Sequence, residues 1–211
     1  MFRSSRKSFR VYYYISSLLP IYLFIVTFMI SIRVSPSKEL ITNIWKLTSS
    51  YKLVFYIFIF LLLISVFCLF KTWRIIEEPK EYSMARGTSS VVFKNQYNPG
   101  FREFILSVIL PMMSTFSIDD YPLPTLVMVL AFQIFIFIFF LNSSDFFPNL
   151  SLFVFGYSVF IVDQANSQDS NLKYVFGKTS NIDSIVNNHQ QFQVVEIGEP
   201  KYNNNVGVIN E

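Results

Sequence analysis

Four apolar stretches divide this chain and constrain it more than any motif does: Val11–Ile32, Leu53–Phe70, Leu123–Leu141 and Phe146–Val162. None of them holds a Lys, Arg, Asp, Glu or His. A bilayer's hydrocarbon core is about 30 Å thick, and a helix rising about 1.5 Å per residue crosses it in roughly 20 residues. The reading is a polytopic α-helical membrane protein with four transmembrane helices. A small cytoplasmic α+β portion then comes from the segment between the second and third helices and from the C-terminal tail. Residues 1–70 form one transmembrane hairpin and 123–162 a second, with cytoplasmic segments at 71–122 and 163–211.

Composition supports that solvent. The chain has 25 Phe and 12 Tyr in 211 residues, and Phe concentrates in the apolar runs. Lipid-facing helices accept that much Phe, whereas a soluble core rarely needs it. The single cysteine, Cys68, allows no disulfide within one chain and reads as a helix-packing residue. The first run follows a basic lead, but it is too long for a signal-peptide core and no small-residue cleavage site follows. An uncleaved first helix is expected.

Charge orients the four spans. Arg3, Arg6, Lys7 and Arg10 precede the first, six basic residues lie between the second and third, and three follow the fourth. Arg33, Lys38, Lys46 and Lys52 occupy the first connection, so the division is thirteen against four. An excess of Lys and Arg marks the cytoplasmic side, which places both termini there. The cluster Arg3, Arg6, Lys7 and Arg10 sits beside the membrane surface, where anionic lipid attracts it.

Local signals fill in the rest. Pro20 kinks the first helix, and Ser16, Ser17, Thr27 and Ser31 can bond within it or to a neighbour. Trp45, Tyr51 and Trp73 lie near membrane boundaries. Ser90–Asn95 reads as a strand, with a turn at Asn98-Pro99-Gly100. Phe104–Met113 is apolar but too short to span; it fits a re-entrant, surface-lying or buried cytoplasmic helix. Arg102 and Glu103 before it, and Asp119 and Asp120 after it, keep its ends in water and are candidates for docking a partner. The tail is rich in Asn, Gln and Ser, with β-like pieces at Lys173–Phe176, Gln191–Ile197 and Asn205–Ile209. The Ser90–Asn95 strand joins them, since an isolated hairpin is marginal in water.

Chemistry is sparse. His189 is the only histidine and has no Cys or carboxylate at metal-ligand spacing. Asp119 and Asp120 are adjacent, a poor arrangement for an acid/base pair. No catalytic residue, metal site or cofactor is expected. Ionisable groups, which carriers and pumps place inside the membrane, are missing from all four spans. The strongly polar side chain of the third span is Gln133, which reads as packing glue facing protein. In an oligomer a ring of such glutamines would line a pore.

The stretch from Phe101 to Asp163 carries a resemblance. It runs FREFILSVILPMMS, then YPLPTLVMVLAF, then FFPNLSLFVFGYSVFIVD. An amphipathic segment with a Pro is followed by a third helix, then a fourth with Pro-Asn near its start and Gly-Tyr farther on. This resembles the KwaA family, the membrane subunits of Kiwa anti-phage defence. The resemblance implies Pro148, Asn149, Gly156 and Tyr157 as packing positions, alongside Gln133 as an oligomer candidate. It further implies a non-enzymatic homo-oligomer, a tetramer, that senses infection and scaffolds a cytoplasmic DNA-binding partner, KwaB. Two other classes remain open: a pore-forming or membrane-disrupting effector, and a small carrier or lipid-modifying enzyme.

Overall fold

The structure is a computed structural model that describes residues 7–33, 49–81, 88–98, 100, 121–142, 147–163, 167, 172–182, 191–197 and 206–210. Two units share one core. The helical unit contains α1 (Lys7–Ser17), α2 (Leu19–Arg33), α3 (Ser49–Glu81) and α4 (Pro122–Asn142). Among the described residues, two helical segments are long and apolar enough to cross a membrane, Ser8–Ser31 and Ser49–Glu78, and Pro122–Ile138 forms a shorter apolar helix. The expected second and third spans fall inside α3 and α4.

The first expected span is one apolar run broken at Leu18, between α1 and α2. Pro20 causes the break, because it has no N–H to give to the Ser16 carbonyl four residues back. The helix shortens its bonds there, with Leu18 N–H reaching the Ile15 carbonyl at 3.2 Å.

The fourth expected helix, Phe146–Val162, is a correction. After Pro148 the chain makes only one short helix, α5 (Leu150–Val154), and turns at Gly156 with φ +85°. Tyr157–Val162 is then a strand. A left-handed φ ends a helix, and glycine takes it without the Cβ clash other residues meet. Beyond it, YSVFIV is β-branched and aromatic, and it buries side chains on both faces. A short apolar run of this kind reads equally as buried strand or buried helix, and here the glycine decides.

That strand belongs to a six-stranded sheet. Its elements are β1 (Ser89–Val91), β2 (Phe93–Tyr97), β3 (Tyr157–Val162), β4 (Tyr174–Lys178), β5 (Phe192–Glu196) and β6 (Val206–Ile209), in the order β1-β5-β6-β4-β3-β2. Every pairing is antiparallel except β4 with β6. β1 and β2 occupy opposite edges, yet only Val92 separates them in sequence. β1 and β2 are thus one interrupted strand, pairing with β5 along its first part and with β3 along its second, and the sheet curls into a small barrel. Of the three β-like pieces of the tail, Lys173–Phe176 overlaps β4, which runs on to Lys178, while the other two contain β5 and β6.

Period-2 alternation gives the barrel two apolar surfaces. Val91, Phe93, Phe160, Val162, Leu172, Val175, Val194 and Ile209 fill its inside. Tyr157, Val159, Tyr174, Phe176, Val195, Val206 and Val208 point outward into the core shared with the helices. The barrel is tight: a Cβ added to Gly207 would sit 2.5 Å from Val194 Cγ1 and 3.1 Å from the Val195 carbonyl oxygen.

All long helices are aligned with the barrel at one end. Phe9 in α1 meets Phe176 of β4 edge-on at 6.4 Å, and α3 packs against β5 and β6. At the start of α3, Tyr51 donates to the Met29 carbonyl near the end of α2. In α4, Phe140 stacks on Tyr13. The barrel end therefore holds Lys7, Glu81 and Asn142, and the far end holds Arg33, Ser49 and Tyr121.

Candidate functional site

The densest polar chemistry lies at the joint between helices and barrel, where α1, α2, α3, α4 and α5 converge. Its origin is the break at Pro20. The Ser16 carbonyl, left without its helical donor, accepts from Ser151 Oγ of α5 at 2.9 Å. The neighbouring Ile15 carbonyl accepts from Ser65 Oγ of α3 at 3.1 Å. The Ile15 carbonyl also takes the Leu18 N–H, so it is the Ser151 hydroxyl that spares the Ser16 carbonyl the roughly 1–3 kcal/mol cost of an unmet buried acceptor.

Asn149 is the centre of the joint. Its Nδ2 donates to the Tyr13 carbonyl at 3.1 Å and to Ser16 Oγ at 2.7 Å. Its Oδ1 caps α5 by accepting from Leu152 N–H at 3.1 Å. One amide therefore satisfies a helix start on one side and a neighbouring helix on the other. Tyr13 Oη completes the tie by donating to the Phe147 carbonyl at 2.8 Å. Pro148 and Asn149 are both buried here, beside a water-sized cavity of about 10 Å³ lined by Tyr13, Asn98, Tyr157 and Phe176 among others.

Gln133 lies a few turns farther from the barrel and is 5% exposed. Tyr22 Oη donates to its Oε1 at 2.7 Å, and Tyr14 Oη donates to its backbone carbonyl at 2.6 Å. Tyr14 belongs to α1 and Tyr22 to α2, so one residue of α4 holds both sides of the break. Its Nε2 is buried and has no partner among the described residues. Aromatic rings seal the surroundings: Tyr14 lies 4.9 Å from Phe137 and 5.5 Å from both Phe140 and Phe147.

The sequence candidates separate cleanly. Gln133, Pro148 and Asn149 come together at or near the joint. Gly156 and Tyr157 form the turn from α5 into β3, where Thr179 N–H bonds the Gly156 carbonyl at 2.8 Å. Lys7 and Arg10 lie on α1 at the barrel end. Arg3, Arg6, Arg102, Glu103, Asp119, Asp120, His189 and the Phe104–Met113 segment lie outside the described residues. Tyr13, Tyr14, Tyr22, Ser65 and Ser151 were not singled out as site residues by sequence reasoning. The available signal was a hydroxyl inside an apolar run, which must find an acceptor when buried.

Among the described residues, no three His, Cys, Asp or Glu side chains gather as a metal site. The joint offers hydroxyls, amides and carbonyls, groups that tie segments together. A model of the anti-phage protein KwaA matches residues 9–203, nearly the whole chain. The chain belongs to the KwaA family. The match takes in the helices and five of the six strands and stops before β6, so the joint is internal to the matched region. Neither the curated proteins nor the solved structures contain a match to this chain. Membership places the protein in anti-phage defence.

Proposed function

We propose that this KwaA-family chain is a non-enzymatic sensor and scaffold of the bacterial inner membrane. The helices lie in the bilayer, copies of the chain associate there, and the cytoplasmic barrel end holds a soluble, DNA-binding partner. The observation that carries this reading is the contrast of surfaces. The helical unit exposes Phe60, Leu63, Phe67, Val127, Ile134 and Phe135, while the barrel's apolar residues are covered in its interior or against the helices. A set of large apolar side chains on the outside of several helices fits hydrocarbon.

Helix length and charge support the orientation. α3 has 33 residues, about 50 Å, so its last turns extend beyond a core of about 30 Å and meet the barrel. Trp73, Lys71 and Arg74 lie along those last turns, and Arg10 is at the same end. Interfacial Trp and cytoplasmic Lys and Arg are the expected boundary markers.

Gln133 is enclosed by tyrosines of its own chain, an arrangement that lends no support to a pore lined by this residue. Two experiments test the reading. Fusions of alkaline phosphatase at Asn210 and within 34–48 report sidedness: activity only at 34–48 is expected, and activity at Asn210 would overturn the orientation. Tagged protein is then extracted in mild detergent, after co-expression with the product of the adjacent gene, and its mass determined. A defined oligomer carrying a soluble DNA-binding protein is expected; a monomer without one would overturn the scaffold reading.

A further inference from the structure

The joint does more than fill a kink. A path of hydrogen bonds, linked through the backbone of α1, runs from mid-bundle to the barrel wall. It begins at Gln133 on α4, which Tyr14 and Tyr22 hold from either side of the Leu18–Pro20 break. It continues through the backbone of α1 to Tyr13 and to Ser16, whose carbonyl is freed at that break. Ser16 O takes the Ser151 hydroxyl, and Tyr13 O and Ser16 Oγ take the Asn149 amide. Ser151 and Asn149 belong to α5 and its cap, which passes through Gly156 directly into β3. Beyond Gly156, Ser158 faces Thr179 at 3.2 Å, and Asn98 bonds the start of β3 three times: its Oδ1 accepts from Val159 N–H, its own N–H donates to the Val159 carbonyl and its Nδ2 donates to Ser158 Oγ.

Two features make this set adjustable rather than fixed. The bonds across the break come from side-chain hydroxyls and an amide, which exchange partners without unwinding a helix. The buried Nε2 of Gln133 has no acceptor among the described residues, so this amide is held through its oxygen alone. An amide with a spare donor has a second pairing open to it once α1 and α2 change their angle.

We infer that the Gln133–Ser16–Ser151 joint is a conformational coupler, through which the angle at the Leu18–Pro20 break sets the stability of β3 and β4 in the barrel. The coupler deepens the sensor reading, and rests on it only for the direction in which a signal travels. A disturbance among the helices alters the break, the break shifts α5, and α5 loosens or tightens the strands at the barrel end. Coupling of this kind is measured by non-additivity between sites.

The test is a double-mutant cycle read by backbone hydrogen exchange on the full chain in detergent. Gln133→Leu removes Tyr22's acceptor, and exchange over 157–162 and 174–178 is expected to quicken about tenfold. With Ser151→Ala already present, the same change is expected to add less than about twofold. Ser151→Thr, which keeps the hydroxyl, restores the full response. Tyr22→Phe breaks the same bond while keeping the ring, and reproduces the effect should Gln133→Leu fold poorly. Leu126→Ala is a packing control on α4 outside the joint. The inference is overturned if the barrel strands do not respond, if the two changes simply add, if the Thr variant fails to rescue, or if Leu126→Ala moves the strands as much at equal loss of stability. No phage, membrane or partner enters the measurement, so its outcome is separate from that of the defence reading.

Discussion

The barrel and the helical unit are built from similar residues and invert each other. In the barrel, Phe160, Val175 and Val194 are fully enclosed, and exposed positions on its strands include Lys94, Lys178 and Gln193. In the helices, Phe60 is 63% exposed and Phe135 is 72% exposed, while serine, threonine, tyrosine and glutamine lie inside. Burial of apolar area drives folding in water, at roughly 25 cal/mol per Å². Between helices in lipid that force is absent, and packing with interhelical hydrogen bonds takes its place. With the helices in a bilayer as proposed, the chain is folded for two solvents, and Pro148–Tyr157 is where one set of rules gives way to the other.

The sharpest way to break the comparison is to make the same substitution in both units. Phe160→Ala, in the barrel interior, is expected to destabilise by about 3–5 kcal/mol. Phe135→Ala, on the outside of α4, is expected to stay within about 0.5 kcal/mol. Thermal unfolding in detergent, followed by proteolysis of the barrel, reads both. Equal losses would mean that the outer face of α4 is an interior.

A charge sharpens the question of solvent. Val127→Lys places an ammonium on the outer face of α4, at a cost of about 2.5–3.5 kcal/mol near a membrane centre. Less protein in the carbonate-resistant membrane fraction is the expected result. Gln193→Lys, on the exposed surface of β5, should leave that fraction unchanged. Normal insertion of Val127→Lys would remove α4 from the bilayer.

Intermediate effects come from the boundary itself. Asn149→Ala loses two donated bonds and the cap of α5, and a loss of about 1–2 kcal/mol is expected. Gly156→Ala meets no atom within 4 Å, so its penalty is conformational alone, arising from φ +85°. That penalty is about 1 kcal/mol, read as a lower midpoint of barrel unfolding. An unchanged midpoint would show that the turn does not need the left-handed conformation.

This boundary is also where the sequence was hardest to read. The long runs in α2, α3 and α4 announce themselves through length and absence of charge. The tail strands are short apolar pieces set off by Gly, Asn and Pro. Phe146–Val162 satisfies the first description, and its hydrophobicity hides a helix turn, a left-handed glycine and a strand. Nothing in its periodicity separates those, because a strand covered on both faces has no polar side. Gln133 was legible as a residue that must face protein. Its partners were not, since pairing with Tyr14 and Tyr22 depends on the rotation of three helices about their axes. The role of Ser151 follows from Pro20 only once the chain is folded, when it supplies the missing donor 135 residues away.

The smallest effect tests how the helical unit treats its polar residues. Gln133→Leu deprives Tyr22 of its acceptor, and interhelical bonds of this kind average about 0.6 kcal/mol in membranes. The same change removes a buried donor that has no partner among the described residues, which offsets the loss. The two terms nearly cancel, so overall stability is expected to fall by less than about 1 kcal/mol, measured as the unfolding midpoint in detergent. In the barrel a polar-to-apolar change of that size would track burial alone. Here a small change in stability accompanied by a large local change in strand exchange would separate two roles. Gln133 would then contribute little to holding the fold together and much to linking its parts. A loss of several kcal/mol would instead make it a structural anchor, with the paired tyrosines worth far more than membrane hydrogen bonds usually are.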